Sequence, residues 1–210
     1  MSPRSSGWPG SRRRPPPALL HGLAVGLSSL PLLALLARFA IEGFGANPIE
    51  DLTHRTGETG LRLLLLSLAV TPLRRGLGWR WIAPLRRTLG LAAFGYACLH
   101  LLVWALLDHA LDGSAILEDL LERPYVMAGM GAFLLLTPLA LSSTRQAMKR
   151  LGARWVRLHR LVYPAAMLAV VHHLWLLKAD LGPALVHAAI LAGLLAARVP
   201  SLLRRRRGEA

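Results

Sequence analysis

The chain has 210 residues, 54% of them hydrophobic and 17% charged, with a mean hydropathy of +0.44. Its charges lie in short stretches between long Leu/Ala/Val runs, which excludes an ordinary soluble domain and leaves no room for a sizeable one. A net charge of +14 would suggest nucleic acid in a soluble protein; beside apolar runs of this length it reads instead as Arg-rich loops at a membrane surface, so the partner expected is lipid and no nucleic acid.

Residues 1–17, MSPRSSGWPGSRRRPPP, are polar and Pro-rich and predict a disordered cytoplasmic tail. The first apolar run, Ala18 to about Ile41, follows Arg12, Arg13 and Arg14 as a signal peptide would, but it is longer than a signal core and no small-x-small cleavage site follows. It reads as a retained span. Further spans are predicted at Thr59–Leu73 (interrupted by Arg62), Thr88–Leu107, Tyr125–Leu141, Leu161–Leu177 and Pro183–Leu203. The fold class is therefore all-α: an integral membrane bundle of six transmembrane helices over 18–203, with a basic cytoplasmic tail at 204–210. No internal repeat is legible. The outer segment Glu42–Glu58, with Gly43, Gly45, Pro48 and Gly57, predicts a turn-rich shape suited to docking a partner through Glu50 and Asp51. Cys98 is the single cysteine, so no intrachain disulfide or cysteine metal site is expected.

Charge sorting sets the topology. With six spans, the amino-terminal tail, the loop carrying Arg74, Arg75, Arg80, Arg86 and Arg87, the loop from Arg145 to Arg160 and the tail Arg204–Arg207 share one side. Most of the acids, among them Glu50, Asp51, Glu58, Asp108, Asp119 and Glu122, share the other. An odd number of spans destroys this sorting. Arginine enrichment then places both termini in the cytoplasm of an inner-membrane protein. Trp79, Trp81 and Trp155 fall at the inner boundary, and Trp104 and Trp175 toward the outer one, as interfacial belts require.

Ionisable residues inside a bilayer are costly and usually functional. His100 lies thirteen residues beyond Arg87 and His172 twelve beyond Arg160. At the helical rise these are depths of about 20 Å and about 18 Å on spans running the same way. Two imidazoles at matched height on parallel helices can grip one heme iron axially. The competing reading is packing by interhelical hydrogen bonds. Zinc fits less well, because no Cys or carboxylate sits at that depth. His173 adjoins His172, and Pro164 can kink the helix, so ideal geometry does not choose between the two. His159, at the inner end of the same span, is either an interfacial residue among arginines or a ligand for a second cofactor. Arg86, Arg87, Arg154, Arg157 and Arg160 can bind phosphate or propionate there; Arg62 can pair with a propionate or reach the outer interface. His21 and His187 lack an obvious partner, and His54 and His109 are weak ligand candidates.

The segments GFGANPIEDLTHRTG, RRTLGLAAFGYACLHLLVW, RPYVMAG and STRQAMKRLGARWVRLHRLVYPAAMLAVVHHLW, in this order and spacing, resemble the heme-binding membrane subunits of bacterial protein-methionine-sulfoxide reductase systems, the MsrQ family of the ferric-reductase-like transmembrane group. The resemblance runs from about Leu19 to Arg198. It implies b-type heme with FMN as a further cofactor. It also implies electron delivery to a periplasmic molybdopterin-containing methionine sulfoxide reductase catalytic subunit, in repair of oxidised envelope proteins. It places His100, His159 and His172 at heme-associated positions and favours His172 over His173, where the family can carry a tyrosine. FMN contacts do not carry over to particular residues. The chain ends in RRRRGEA soon after the last apolar run, so no flavin or nicotinamide domain is expected. The donor expected is the quinone pool or a cytoplasmic flavin reductase, and the chain is an electron-transfer subunit rather than the catalytic one. The alternative is a stand-alone b-type cytochrome or ferric reductase passing electrons to a metal ion or quinone.

Overall fold

The structure, a computed structural model, describes residues 15–42, 46–176 and 181–198. The described residues form helices and short connections, with no strand among them. In chain order these are α1 (Pro17–Glu42), α2 (Pro48–Gly76), α3 (Leu85–Val103), α4 (Gly113–Glu122), α5 (Pro124–Leu141), α6 (Arg145–Leu151), α7 (Ala153–Leu158), α8 (Val162–Leu176) and α9 (Gly182–Ala196). Three stretches are long and apolar enough to cross a membrane by length and composition: Ala18–Ile41, Arg80–Asp108 and Pro124–Leu141, with Gly182–Ala196 a shorter apolar helix. Leu23, Leu27, Leu33 and Leu36 of α1 are exposed on the bundle surface, as a lipid-facing helix requires.

Two antiparallel hairpins make the centre. In the first, α2 packs along α3, from Ser67 Oγ donating to the Arg86 carbonyl at 2.9 Å to the Thr53–His100 contact at the other end. In the second, α5 packs along α8 after the short α6 and α7. Phe94 and Phe133 stack across the hairpins with centroids 5.5 Å apart. Leu64, Leu68, Ala93, Leu136, Ala165, Ala166 and Val170 fill the core between them. Small side chains where helices cross let the backbones approach closely.

The helix starts follow from local chemistry. Pro48 occupies the first turn of α2, where its missing N–H costs nothing, and Glu50 and Asp51 complement the dipole. For this reason α2 begins ten residues or so before the predicted span, and the expected turn-rich segment is helical from Pro48 onward. Asp51 is held by Arg55 and Arg38, so its charge is already balanced within the chain; residues 43–45 of that segment lie outside the described residues. The loop after α3 is likewise partly helical. Asp112 caps α4 by accepting from the Ser114 and Ala115 N–H groups. The predicted tails lie largely or wholly outside the described residues.

Two proline irregularities are repaired by neighbouring helices. Pro72 in α2 leaves the Leu68 carbonyl without its i→i−4 donor, and the Arg198 guanidinium at the end of α9 donates to that oxygen. Near Pro31 in α1, the Tyr96 hydroxyl of α3 accepts from the Leu32 N–H at 3.1 Å and donates to the Ser28 carbonyl at 2.8 Å. A side chain is thereby inserted in the α1 ladder.

Candidate heme site

His100 lies on the last full turn of α3 and His172 on the last turns of α8, so the hairpin arrangement carries both to the same end of the bundle. This is the acidic end, where Glu58, Asp108 and Asp119 lie; Arg74, Arg75 and Arg86 lie at the basic end. The ring centroids of His100 and His172 are 6.0 Å apart with planes at 78°. Each ring is held from behind. His100 Nδ1–H donates to the Thr53 carbonyl at 2.9 Å, and His172 Nδ1–H donates to the Tyr125 carbonyl at 2.6 Å. Such a bond fixes the tautomer with Nε2 as the free lone pair, the usual outer support of a metal-bound imidazole. Among the described residues neither Nε2 has a hydrogen-bond partner.

The two rings border a cavity of about 640 Å³. Leu61, Leu64, Ala93, Phe133 and Ala169 form its apolar wall, while His54, Glu58, Asp119 and Arg123 stand at the acidic end. The volume is in the range of cofactor pockets. Two metal–imidazole bonds of about 2 Å, each extended by a ring half-width of about 1 Å, put ligand centroids roughly 6 Å apart. The residues present therefore fit a heme held between His100 and His172.

The remaining predicted residues fall elsewhere. His173 also reaches the cavity, but its ring meets His187 of α9 at 5.2 Å, edge to face. His172 is thus the histidine opposite His100, and His187 has a neighbour that spacing did not reveal. His173 Nε2 and His187 Nδ1 are buried without hydrogen-bond partners. His159 is far along the chain fold from this pair, in the 3-10 turn His159–Leu161 before α8. It stacks on Trp155 at 3.8 Å, donates from Nδ1 to the Trp155 carbonyl at 3.1 Å, and leaves Nε2 buried and unpartnered. His21 bonds Thr88 at 2.8 Å. Arg62 pairs with Glu58 and is mostly exposed, outside the cavity lining. Arg123 lines the cavity instead, gripped by Asp119 at 2.8 Å.

Charge sorting places Asp119 with the acids of one membrane side, and the structure buries it there, 6% exposed. It accepts from Trp104 Nε1 at 3.1 Å and His109 Nε2 at 3.3 Å as well as from Arg123. These partners compensate its burial. Trp104, Asp119 and Arg123 of this network line the acidic end of the cavity. Its one legible signal is the i,i+4 spacing of Asp119 and Arg123; Trp104 and His109 join it through the π turn Trp104–Asp108, which pattern reading does not foresee.

Helices that bring two imidazoles, each held through Nδ1, to one largely apolar cavity make an arrangement suited to a heme-carrying component. The model of the family described as "Ferric reductase like transmembrane component" matches residues 56–170. The protein-methionine-sulfoxide reductase heme-binding subunit MsrQ of Rhodospirillum rubrum is 53% identical over 185 residues, covering 86% of this chain and 88% of that protein. The subunit of the same name from Azospira oryzae is 46% identical, covering 91% and 84%, and that of Ralstonia nicotianae 42%, covering 88% of each. The chain belongs to the MsrQ family of ferric-reductase-like membrane proteins.

Proposed function

We propose that the protein is the heme b-binding electron-transfer subunit of a methionine sulfoxide reductase system in the bacterial inner membrane. It crosses six times, with α1, α2, α3, α5, α8 and α9 as the spans and both termini cytoplasmic. The observation that carries the reading is the pair His100 and His172, each pinned through Nδ1 and each offering Nε2 to one apolar cavity. Bound there, heme supplies a one-electron carrier within the bilayer. The chain's own residues do the rest. Thr53 and Tyr125 keep the imidazoles oriented, the leucine and alanine wall gives the heme an apolar surround, and Asp119 with Arg123 stands at the periplasmic mouth. A guanidinium at that mouth suits a propionate.

On this orientation the basic end faces the cytoplasm. Arg86, Arg87, Arg154, Arg157 and Arg160 have no acidic partner among the described residues, and the unpartnered Nε2 of His159 lies in the same region. Those groups are suited to the phosphate of FMN or to a second heme, and the donor is the quinone pool or a cytoplasmic flavin reductase. The acceptor is a periplasmic molybdopterin-containing catalytic subunit that reduces methionine sulfoxide in oxidised proteins.

The test is electron delivery in proteoliposomes. The heme-loaded protein, chemically reduced, is mixed with the purified catalytic subunit and methionine sulfoxide. Reoxidation of heme that requires both subunit and substrate is expected. Reoxidation by ferric chelate or quinone alone, with none by the catalytic subunit, would overturn the assignment in favour of a stand-alone cytochrome or ferric reductase.

A further inference from the structure

Gly57 and Gly129 lie inside helices, where glycine costs about 1 kcal/mol relative to alanine, so each calls for a compensating reason. That reason is the histidine ring opposite. A Cβ on Gly57 would stand 3.0 Å from both Nδ1 and Cε1 of His100; one on Gly129 would stand 2.8 Å from Nδ1 and 3.0 Å from Cε1 of His172. Ordinary contacts of this kind are 3.4–4 Å. The rings cannot simply swing aside, because the Thr53 and Tyr125 carbonyls hold them. Other helical glycines, such as Gly22, Gly95 and Gly193, have nothing within 4 Å of such a Cβ.

The two cradles have the same construction. In each, the carbonyl that holds the ring belongs to the residue four before the glycine, and carbonyl and histidine are 47 residues apart in both. Thr53, Gly57 and His100 thus correspond to Tyr125, Gly129 and His172 at a constant offset of 72 residues. The same offset pairs the buried Leu64 with Leu136 and Ala93 with Ala165. An internal repeat, whose sequence identity is confined to scattered positions such as these, is present in the way the two hairpins hold their histidines.

We propose that Gly57 and Gly129 are positioning residues that hold both imidazoles on the cofactor together, leaving no open coordination position for an exogenous ligand. The proposal rests on the reading of His100 and His172 as the ligand pair. An added methyl pushes a ring off its carbonyl and moves Nε2. Loss of the Nδ1 bond also makes the imidazole a weaker base, which favours the reduced iron and raises the potential.

The experiment compares purified wild type, Gly57→Ala, Gly129→Ala and the control Gly95→Ala. Each is examined by electron paramagnetic resonance of the oxidised form, carbon monoxide difference spectra of the reduced form, and redox titration. Wild type and Gly95→Ala are expected to be low-spin and to bind no carbon monoxide. Gly57→Ala and Gly129→Ala are expected to gain a high-spin signal, to bind carbon monoxide and to shift upward in potential. Wild-type spectra and potential in both alanine variants would overturn the proposal. If an alanine variant does not fold, Gly57→Ala is compared with the double variant carrying His100→Gly. Removing the ring removes the clash, so the double variant should be as stable as His100→Gly alone; persistent instability places the cost elsewhere and overturns the cradle. A wild type with no b-type spectrum would sink the ligand reading instead, while this stability comparison would still judge the cradle.

Discussion

The histidines of this chain differ more in what holds them than in depth. His100 and His172 each donate one ring proton to a helix carbonyl and leave Nε2 toward a cavity, whereas His173 and His187 face each other with nitrogens buried and unbonded. An unsatisfied buried polar group costs about 1–3 kcal/mol. Substituting His187 with Leu should therefore leave heme content intact and hold or raise the unfolding midpoint; heme loss in that variant would mean that His187 takes part in ligation. Asp119 is the opposite case. Asp119→Ala strands Trp104 Nε1 and frees Arg123 at the cavity mouth. Because Arg123 is more than half exposed, water offsets part of the loss. A destabilisation of about 1–3 kcal/mol is expected by denaturant titration, and a change within error would show that the network is incidental. Matched depth made His100 and His172 legible from sequence. Helix phase, unsettled by Pro164, left His172 and His173 open, and it was the family resemblance that favoured His172, the ring held by the Tyr125 carbonyl of α5.

Among the elements, α2 departs most from its sequence pattern. Its charged first half, from Glu50 to Glu58, lacks the apolar run that marks a span, so periodicity reads only the Leu-rich second half. Yet this first half supplies Thr53 and Gly57. The carbonyl contribution of Thr53 is a backbone property that no residue type announces. The bond from Arg198 to Leu68 makes a further expectation: Arg198→Met keeps bulk but strands the carbonyl beside Pro72. It should lower stability by about 1–3 kcal/mol in thermal or denaturant unfolding; an unchanged midpoint would show that water or another group satisfies the oxygen. At the acidic end, hydrogen bonds from the Ser114 hydroxyl and the α4 amides hold the Asp112 carboxyl below its ordinary 3.8. A depressed carboxyl stabilises the cap above that value and loses it as pH falls below. The Ser114 and Ala115 amides should stay protected from hydrogen exchange at pH 5–8 and lose protection only below pH about 4. Loss already at pH 5 would contradict the capping geometry.

For the molecule as a whole, the long apolar runs made the helical membrane class legible, and segregation of basic and acidic residues is what supports the proposed six-span topology, because the bilayer imposes charge sorting on every loop at once. The paired hairpins were illegible for a different reason. At the 72-residue offset the key positions coincide, as Gly57 with Gly129 and His100 with His172, but most of the residues between them differ, as Thr53 and Tyr125 do. The central claim is that His100 and His172 hold one heme from two sides. Its most direct test is the heme content and reduced-minus-oxidised spectrum of purified His100→Ala, His172→Ala and His173→Ala beside wild type. The expected result is a b-type spectrum in wild type and His173→Ala, lost or converted to a ligand-accessible form in the other two. Undiminished wild-type spectra in both His100→Ala and His172→Ala would contradict the account.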